Sequence, residues 1–465
     1  MEIIVDPSDP GARGCEPVPI HLVGHGYTSA ILETGPSAAR AAATLAGFKG
    51  AVGELVLVPS PEGALERVLF GLGDTPAAAG FRGLSARLPP GDYRIDSSAV
   101  GLALDDLALA WELGTYRFDR YKARPVGTVA RLVGLHDANV ARVRILAAAC
   151  ALTRDLVNTP ANDMGPEDIG SAAHDLAAGY GASLSVVVGD DLIEAGYPAV
   201  HAVGRAATAA RAPRMIEMTW GEADRPLVVV IGKGVAFDTG GLDIKPSAGM
   251  RHMKKDMGGA AHALGLARMI MGLALPVRLV VLIPAVENAI SADAMRPGDV
   301  LSSRSGLSIE VGNTDAEGRL ILADALTRAG ELNPDLTLDL ATLTGAARVA
   351  LGPQVIPFYT DDDDLAAALA AGSIAAGDPI WRMPLWAPYA AALDSDVADI
   401  KNDPDGWAQA GSVTAALFLQ RFAPKGPWAH FDIFAWNPRA KPGWPVGAEA
   451  QAILAIFAML EARYR

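Results

Sequence analysis

Residues 312–320 read GNTDAEGRL, and within them Asp315, Glu317 and Arg319 stand at positions i, i+2 and i+4. Two carboxylates at that spacing point to nearly opposite sides of a helix but to one side of an extended segment. The run that follows, LILADALTRAGELNP, spaces Leu320, Ala323, Leu326 and Ala329 at helical intervals and stops at Asn333-Pro334. The spacing predicts a strand end or loop feeding a helix, with two acids and a guanidinium converging on one small volume. Acids before a helix also have an ordinary use: Asp caps free N–H groups, and Glu favours the positive end of the helix dipole. This stretch alone does not separate the two uses.

Two further stretches carry chemistry. IGKGVAFDTGGLDIKP (231–246) holds Lys233, Asp238, Asp243 and Lys245 among glycines, and MKKDMGGAAHA (253–263) places Asp256 at the mouth of a helix rich in small residues. A GKG after a strand suggests a phosphate loop, but the pattern GxxxxGK[ST] is absent. Asp256 by itself would serve as an N-cap. Taken together, Asp238, Asp256, Asp315 and Glu317 follow or neighbour strand ends and helix starts. Four carboxylates meeting in one crevice repel one another unless cations neutralise them, and two divalent ions supply the matching charge. Oxygen-rich ligation without His or Cys suits Mg2+, Mn2+ or Zn2+. The eight histidines form no HExxH motif, the one i, i+4 pair (His21 and His25) lacking its glutamate, which argues against a mononuclear zinc peptidase.

The elements that must position these residues are legible as alternating runs. LVVVIG (227–232), RLVVLIPAV (278–286) and LTLDLATLT (336–344) are strand-like and apolar on both faces, and the helical segments 257–274 and 319–332 separate them. That is the pattern of a largely parallel sheet covered by helices on both sides, with ligands beyond the carboxyl ends of its strands. Residues 1–150 read as a separate mixed α/β unit, with strands at 54–59 and 68–74 and a helix over 97–116. A long apolar helix over 141–166 ends in a cluster of Asn, Pro and Gly that suits a domain junction. The expected fold class is α/β: a smaller N-terminal domain over 1–150 ending in a linker helix, and a larger domain over 151–465 with a mixed, largely parallel sheet. The run of four Asp at 361–364 reads as a solvated helix start.

Bulk properties narrow the classes. A chain of 465 residues with 51% hydrophobic and 20% charged residues is globular and long enough for two or three domains. No apolar run reaches the roughly 18 residues a bilayer span needs. The N-terminus MEIIVDPSDPGARGC lacks a basic signal-peptide region, and Cys15 and Cys150 offer neither a disulfide framework nor a thiolate zinc site. A soluble cytoplasmic protein is expected. Of the net charge of −14, residues 1–150 carry −2 and the rest carries −12. An acidic second part attracts cations and repels phosphate backbones, which weighs against nucleic acid as a partner.

The stretches GKGVAFDTGGLDIKP, MKKDMGGAA, NTDAEGRL and LATLTGA (340–346), in that order, resemble the leucyl (cytosol) aminopeptidase family of dinuclear metallopeptidases. NTPANDMGP (158–166), GSVTAALFLQRF (411–422) and WAHFDI (428–433) fit it as well, so the likeness covers roughly residues 110–460. It implies an aminopeptidase that hydrolyses the N-terminal residue from peptides, using two divalent metal ions per chain (Zn2+ or Mn2+, with Mg2+ or Co2+ as further candidates). Asp238 and Glu317 would bridge the ions, Lys233 and Asp256 would complete one site, and Asp315 the other. A coordinating Lys233 must be neutral, which requires a depressed pKa beside the metal. Lys245 would polarise the scissile carbonyl, and Arg319 would hold a bicarbonate that helps deprotonate the attacking water. Met253, Thr342 and Gly345 would line the first side-chain pocket, and Leu343 would offer its backbone carbonyl. The resemblance also implies a homohexamer, a dimer of trimers. Ala236 and Thr239 replace the Thr and Ser common in the family's GKGxTFDSGG, positions that supply no ligand. The alternatives weighed are a non-catalytic or DNA-binding member of the same fold, and a phosphate-handling enzyme.

Overall fold

The computed structural model describes residues 4, 16–24, 33, 35–75, 77–96, 101–122, 129–135, 139–404 and 406–465. Cys15, His25, His136 and the first four residues of the helix expected over 97–116 lie outside the described residues. The chain divides into two units, one of Met1–Ala151 with Arg439–Val446, the other of Leu152–Pro438 with Gly447–Arg465. The returning segment Arg439–Val446 has no counterpart in a reading by contiguous ranges.

The first unit is built on a five-stranded sheet of β1 (Val18–Gly24), β2 (Leu55–Pro59), β3 (Leu65–Gly73), β4 (Gly91–Asp96) and β5 (Ala130–Leu132), in the spatial order β2-β3-β1-β4-β5. β1 runs parallel to β3 and β4, β4 parallel to β5, and only the edge strand β2 is antiparallel. The helix Leu104–Thr115 packs Leu107, Ala108 and Trp111 into a core with Phe70, Phe81 and Tyr93.

The second unit carries the motifs. Its sheet contains β6 (Ser183–Val188), β7 (Arg214–Trp220), β8 (Leu227–Gly232), β9 (Gly234–Asp238) and β10 (Arg278–Asn288). A small satellite sheet follows, with β11 (Val300–Ser302), β12 (Ser308–Glu310) and β16 (Ile400–Lys401). The main sheet is completed by β13 (Leu336–Ala341), β14 (Ile356–Tyr359), β15 (Ile380–Arg382) and β17 (Trp428–Asp432). Its order is β15-β14-β17-β13-β8-β10-β7-β6, with β9 also paired to β10. The centre (β17, β13, β8, β10, β9) is parallel, while β7 and β14 join it antiparallel. The expected fold class therefore holds in both units: α/β, with mixed and mostly parallel sheets.

The central strands are apolar on both faces because helices cover both. Val229 and Ile231 pack with Leu320, Ala323 and Leu326 of the helix Gly318–Glu331 and with Val413, Ala416 and Leu417 of the helix Gly411–Gln420. The opposite face takes the helix Gly258–Gly272, whose small first residues allow backbone contact: a Cβ on Gly259 would lie 2.1 Å from the Leu340 carbonyl oxygen. The expected helix over 141–166 is Val140–Asn158. It ends before Thr159-Pro160, where proline lacks an N–H and disfavours helix in the residue before it. The four-Asp run starts the helix Asp363–Ala376, with Asp362 accepting from the Leu365 N–H at 2.9 Å.

Candidate active site

The chain passes from β8 into β9 at Lys233, a strand break that the loop expected after residue 231 did not anticipate. Lys233 is buried with its Nζ 2.8 Å from Asp256 Oδ2 and 2.9 Å from Glu317 Oε1, and it donates to the Thr342 carbonyl at 3.0 Å. The Thr342 carbonyl accepts its one well-formed hydrogen bond, and the two carboxylates pair with it by charge. Gly318 makes this approach possible, since a Cβ there would sit 2.5 Å from Lys233 Cε. Lys245 lies beyond the end of β9, with its Nζ 2.8 Å from Asp238 Oδ2 and paired also with Asp315 Oδ1. Carboxylate oxygens of Asp238, Asp315 and Glu317 lie within 4.8 Å of one another. The structure thus brings all six residues, from β9, two helix starts and three connections, to the carboxyl edge of the parallel strands.

Neither acid at a helix start acts as a cap. The helix Gly258–Gly272 has no side-chain cap, and Glu317, at the N-cap of Gly318–Glu331, makes none either. Asp315 lies in a turn and Arg319 already within the helix, so convergence comes from a turn-to-helix junction and not from extended alternation. Arg319 is buried and donates through Nη1 to the Asn402 carbonyl at 2.5 Å, while its Nε–H has no partner among the described residues.

The electrostatics state what the cluster lacks. Burial, and then the charge of Asp238, push Glu317 up to about 8 against the pull of Lys233. Burial and Asp238 likewise push Asp315 up to about 6, against Lys245. Burial acts against the Lys233 and Lys245 ammoniums, yet the carboxylates around them, Asp256 and Glu317 for the first and Asp238 and Glu317 for the second, raise both above the ordinary lysine value. Burial also opposes the Asp256 anion, but Lys233 and Lys255 bring it below its ordinary value. Asp256 Oδ2, Glu317 Oε1 and Asp315 Oδ1 are in ion-pair reach of lysines without a hydrogen bond of acceptable geometry. Buried carboxylate oxygens converging without hydrogen-bond partners fit divalent cations of the hard or borderline type. They do not fit phosphate, which four acids would repel, so the GKG turn is no phosphate cradle.

The pocket candidates are placed unequally. Met253 opens the short 3-10 helix Met253–Met257 that carries Asp256, and Thr342 Oγ1 lies 2.8 Å from Asp256 Oδ1. The Leu343 N–H donates to Asp432 Oδ1 at 3.0 Å. Gly345 is exposed at the start of the helix Gly345–Leu351, with nothing within 4 Å of where a side chain would begin.

Further residues hold the site: Asn288 carried no signal in the sequence, and Asp243 and Asp432 stood in the 231–246 and 428–433 stretches without an assigned role. Asn288, at the end of β10, donates from Nδ2 to Asp238 Oδ1 at 2.8 Å and to the Thr314 carbonyl at 3.1 Å. Asp243 Oδ2 accepts from the Thr314 N–H at 2.7 Å, tying the Lys245 segment to the Asp315 turn. Asp432 takes the Leu343 and Thr344 N–H groups and the Thr344 hydroxyl. Long-range hydrogen bonds of this kind leave no periodic signal in a sequence.

A largely parallel sheet whose carboxyl edge carries converging buried acids fits a metal-dependent enzyme. Residues 151–456 match the cytosol aminopeptidase family, catalytic domain, and residues 18–134 match the M17 aminopeptidase, N-terminal domain. The chain belongs to the cytosol aminopeptidase family and is a metalloaminopeptidase by class. It is 41% identical over 382 residues to a probable cytosol aminopeptidase of Syntrophotalea carbinolica, covering 78% of this chain and 75% of that protein. The crystal structure of the cytosol aminopeptidase from Coxiella burnetii superposes with a TM-score of 0.92 at 45% identity, over 97% of this chain and 98% of that one. The bottromycin maturation enzyme BotP, solved in complex with Mn, gives 0.87 at 34% identity over 97% of this chain and 100% of that one. The N-terminal match reaches back to residue 18, ahead of the range from roughly 110 over which the motifs carry the likeness. Among the described residues, no helix is long and apolar enough to cross a membrane.

Proposed function

We propose that this chain removes the N-terminal residue from peptides with a dinuclear metal site held by Lys233, Asp238, Asp256, Asp315 and Glu317. The observation that carries the reading is the convergence of Asp238, Asp315 and Glu317 oxygens within 4.8 Å, in a setting where burial and the neighbouring Asp238 charge resist ionisation of Asp315 and Glu317. Two divalent ions there, Zn2+ or Mn2+ with Mg2+ or Co2+ as further candidates, supply an acidified water and an anchor for the free α-amine. Lys233 would hold one ion as a neutral amine, its ammonium proton passing to solvent, and its present neighbours Asp256 and Glu317 would be ligands beside it. With Asp238 and Asp315 committed to metal, the Lys245 ammonium would be free of its present ion-pair partners and would stabilise charge developing on the scissile carbonyl oxygen. Arg319, buried with an unpartnered Nε–H, holds a bicarbonate as proton acceptor for the attacking water. Met253, Thr342 and Gly345 line the first side-chain pocket, and Leu343 presents its carbonyl to the substrate. The reading extends to a cytoplasmic homohexamer, which sedimentation would show as six chains of 48.2 kDa.

The test compares free and N-acetylated peptides with protein stripped by chelator and reloaded. Unblocked peptides should lose one residue at a time, blocked ones should be inert, and activity should vanish and return with metal. Equal cleavage of blocked and free peptides would sink the proposal.

A further inference from the structure

We propose that Asn402 is the positioning residue that holds the metal-bearing turn and Arg319 in one geometry. The inference rests on the metallopeptidase reading above and adds a residue outside its motifs. Asn402 follows β16, the two-residue strand that pairs with β12 through Ile400 and Lys401, and its own N–H donates to the Glu310 carbonyl at 3.0 Å. The residue is completely buried.

Every hydrogen-bonding position of its side chain is committed to the turn before Glu317. Oδ1 accepts from the N–H groups of Gly312 at 2.8 Å and Asn313 at 3.3 Å. Nδ2 donates to the carbonyls of Asn313 at 2.8 Å and Ala316 at 3.2 Å, so the clamp closes on both sides of Asp315 and stops one residue short of Glu317. An amide carries two donors and two acceptor lone pairs, and here all four are used. The backbone carbonyl of the same residue takes the Arg319 guanidinium at 2.5 Å. One residue thus fixes two carboxylates and the guanidinium from a separate strand. Asp has the same shape but no donors, and would set its second oxygen against the two carbonyls.

The experiment titrates metal-stripped protein with Mn2+ by calorimetry and measures steady-state kinetics for wild type, Asn402→Asp and Asn402→Ala. Ser308→Ala is the control: it removes hydrogen bonds to Asp399 from the same satellite sheet without touching the turn. Loss of a residue that orients metal ligands costs about 10–100-fold in metal affinity or activity. Both Asn402 variants should show that loss in Mn2+ affinity and in kcat, with KM moving less, and Ser308→Ala should bind Mn2+ like wild type. Wild-type Mn2+ affinity in the Asn402 variants, or an equal loss in Ser308→Ala, overturns the proposal. Wild-type protein that binds no Mn2+ overturns the metallopeptidase reading itself.

Discussion

A buried lysine ringed by acids is either a fixed counter-ion or a base waiting for a stronger cation, and Lys233 and Lys245 divide these roles. Lys233 touches Asp256, Glu317 and a carbonyl; Lys245 touches Asp238 and Asp315 and stays partly accessible. Asp256→Asn keeps the shape but removes a ligand charge, so it should weaken or lose one ion and most activity with it. Lys245→Ala should keep both ions and lower kcat by roughly 10²–10³, the typical cost of one oxyanion donor, with KM moving less. Metal analysis beside kinetics checks both. A Lys245→Ala enzyme with wild-type turnover removes that residue from the mechanism.

Two helices meet the site through small residues, and each gives an expectation. Alanine is favoured over glycine in a helix by about 1 kcal/mol, so Gly318→Ala would be neutral or stabilising if only the helix mattered. A Cβ there collides with Lys233 Cε and Nζ, however. The variant should fold as well as wild type yet lose metal and activity, and unchanged metal content would show that Lys233 tolerates displacement. The helix Gly258–Gly272 is tied by His262, whose Nδ1 donates to the Gly258 carbonyl at 2.6 Å and whose Nε2 accepts from the Gln451 N–H at 3.0 Å. Burial lowers its pKa to about 4 against backbone interactions with Gly258 and Glu449 that favour the charged form. Below its ordinary value of 6.5 the unfolded chain therefore binds the extra proton and the folded chain does not. Stability is complete above that value and declines as pH falls towards about 4, by about 3 kcal/mol at 1.36 kcal/mol per unit. Urea unfolding at pH 4.5 and 7 should show this dependence in wild type and lose it in His262→Gln. An unchanged slope would mean that other groups set the acid limit.

Over the whole molecule the acidic balance and the site pull the same way. Net charge of −14 repels a nucleic-acid backbone, so no gel shift with duplex DNA is expected at physiological salt, and a salt-resistant shift would favour the regulatory alternative. Cations are drawn to the site instead. Any ion that binds only the folded chain stabilises it, by about 2.7 kcal/mol per site at a hundredfold excess over Kd. Scanning calorimetry should therefore give a Tm that rises with added Mn2+ and falls with chelator. A Tm indifferent to both would contradict a structural debt to metal.

What the sequence determined by itself is what depends on residue type and local period. Apolar runs of strand length alternating with helical ones carry the parallel sheet, because a strand buried on both faces has to be apolar throughout. The clustering of acids with glycines at strand ends already required cations. The signature stretches carried the family, which the catalytic-domain match over 151–456 bears out. Local spacing anticipated a loop feeding a helix at Asp315–Arg319, which the turn and the helix Gly318–Glu331 match, but not the loss of extended alternation between the acids. It also gave no sign of β9, of the segment 439–446 that joins the first unit, or of Asn288 and Asn402. These contacts join positions far apart in the chain: Asn402 lies 89 residues from the Asn313 it clamps. Their partners become neighbours only once the sheets have formed, so only the tertiary structure decides them.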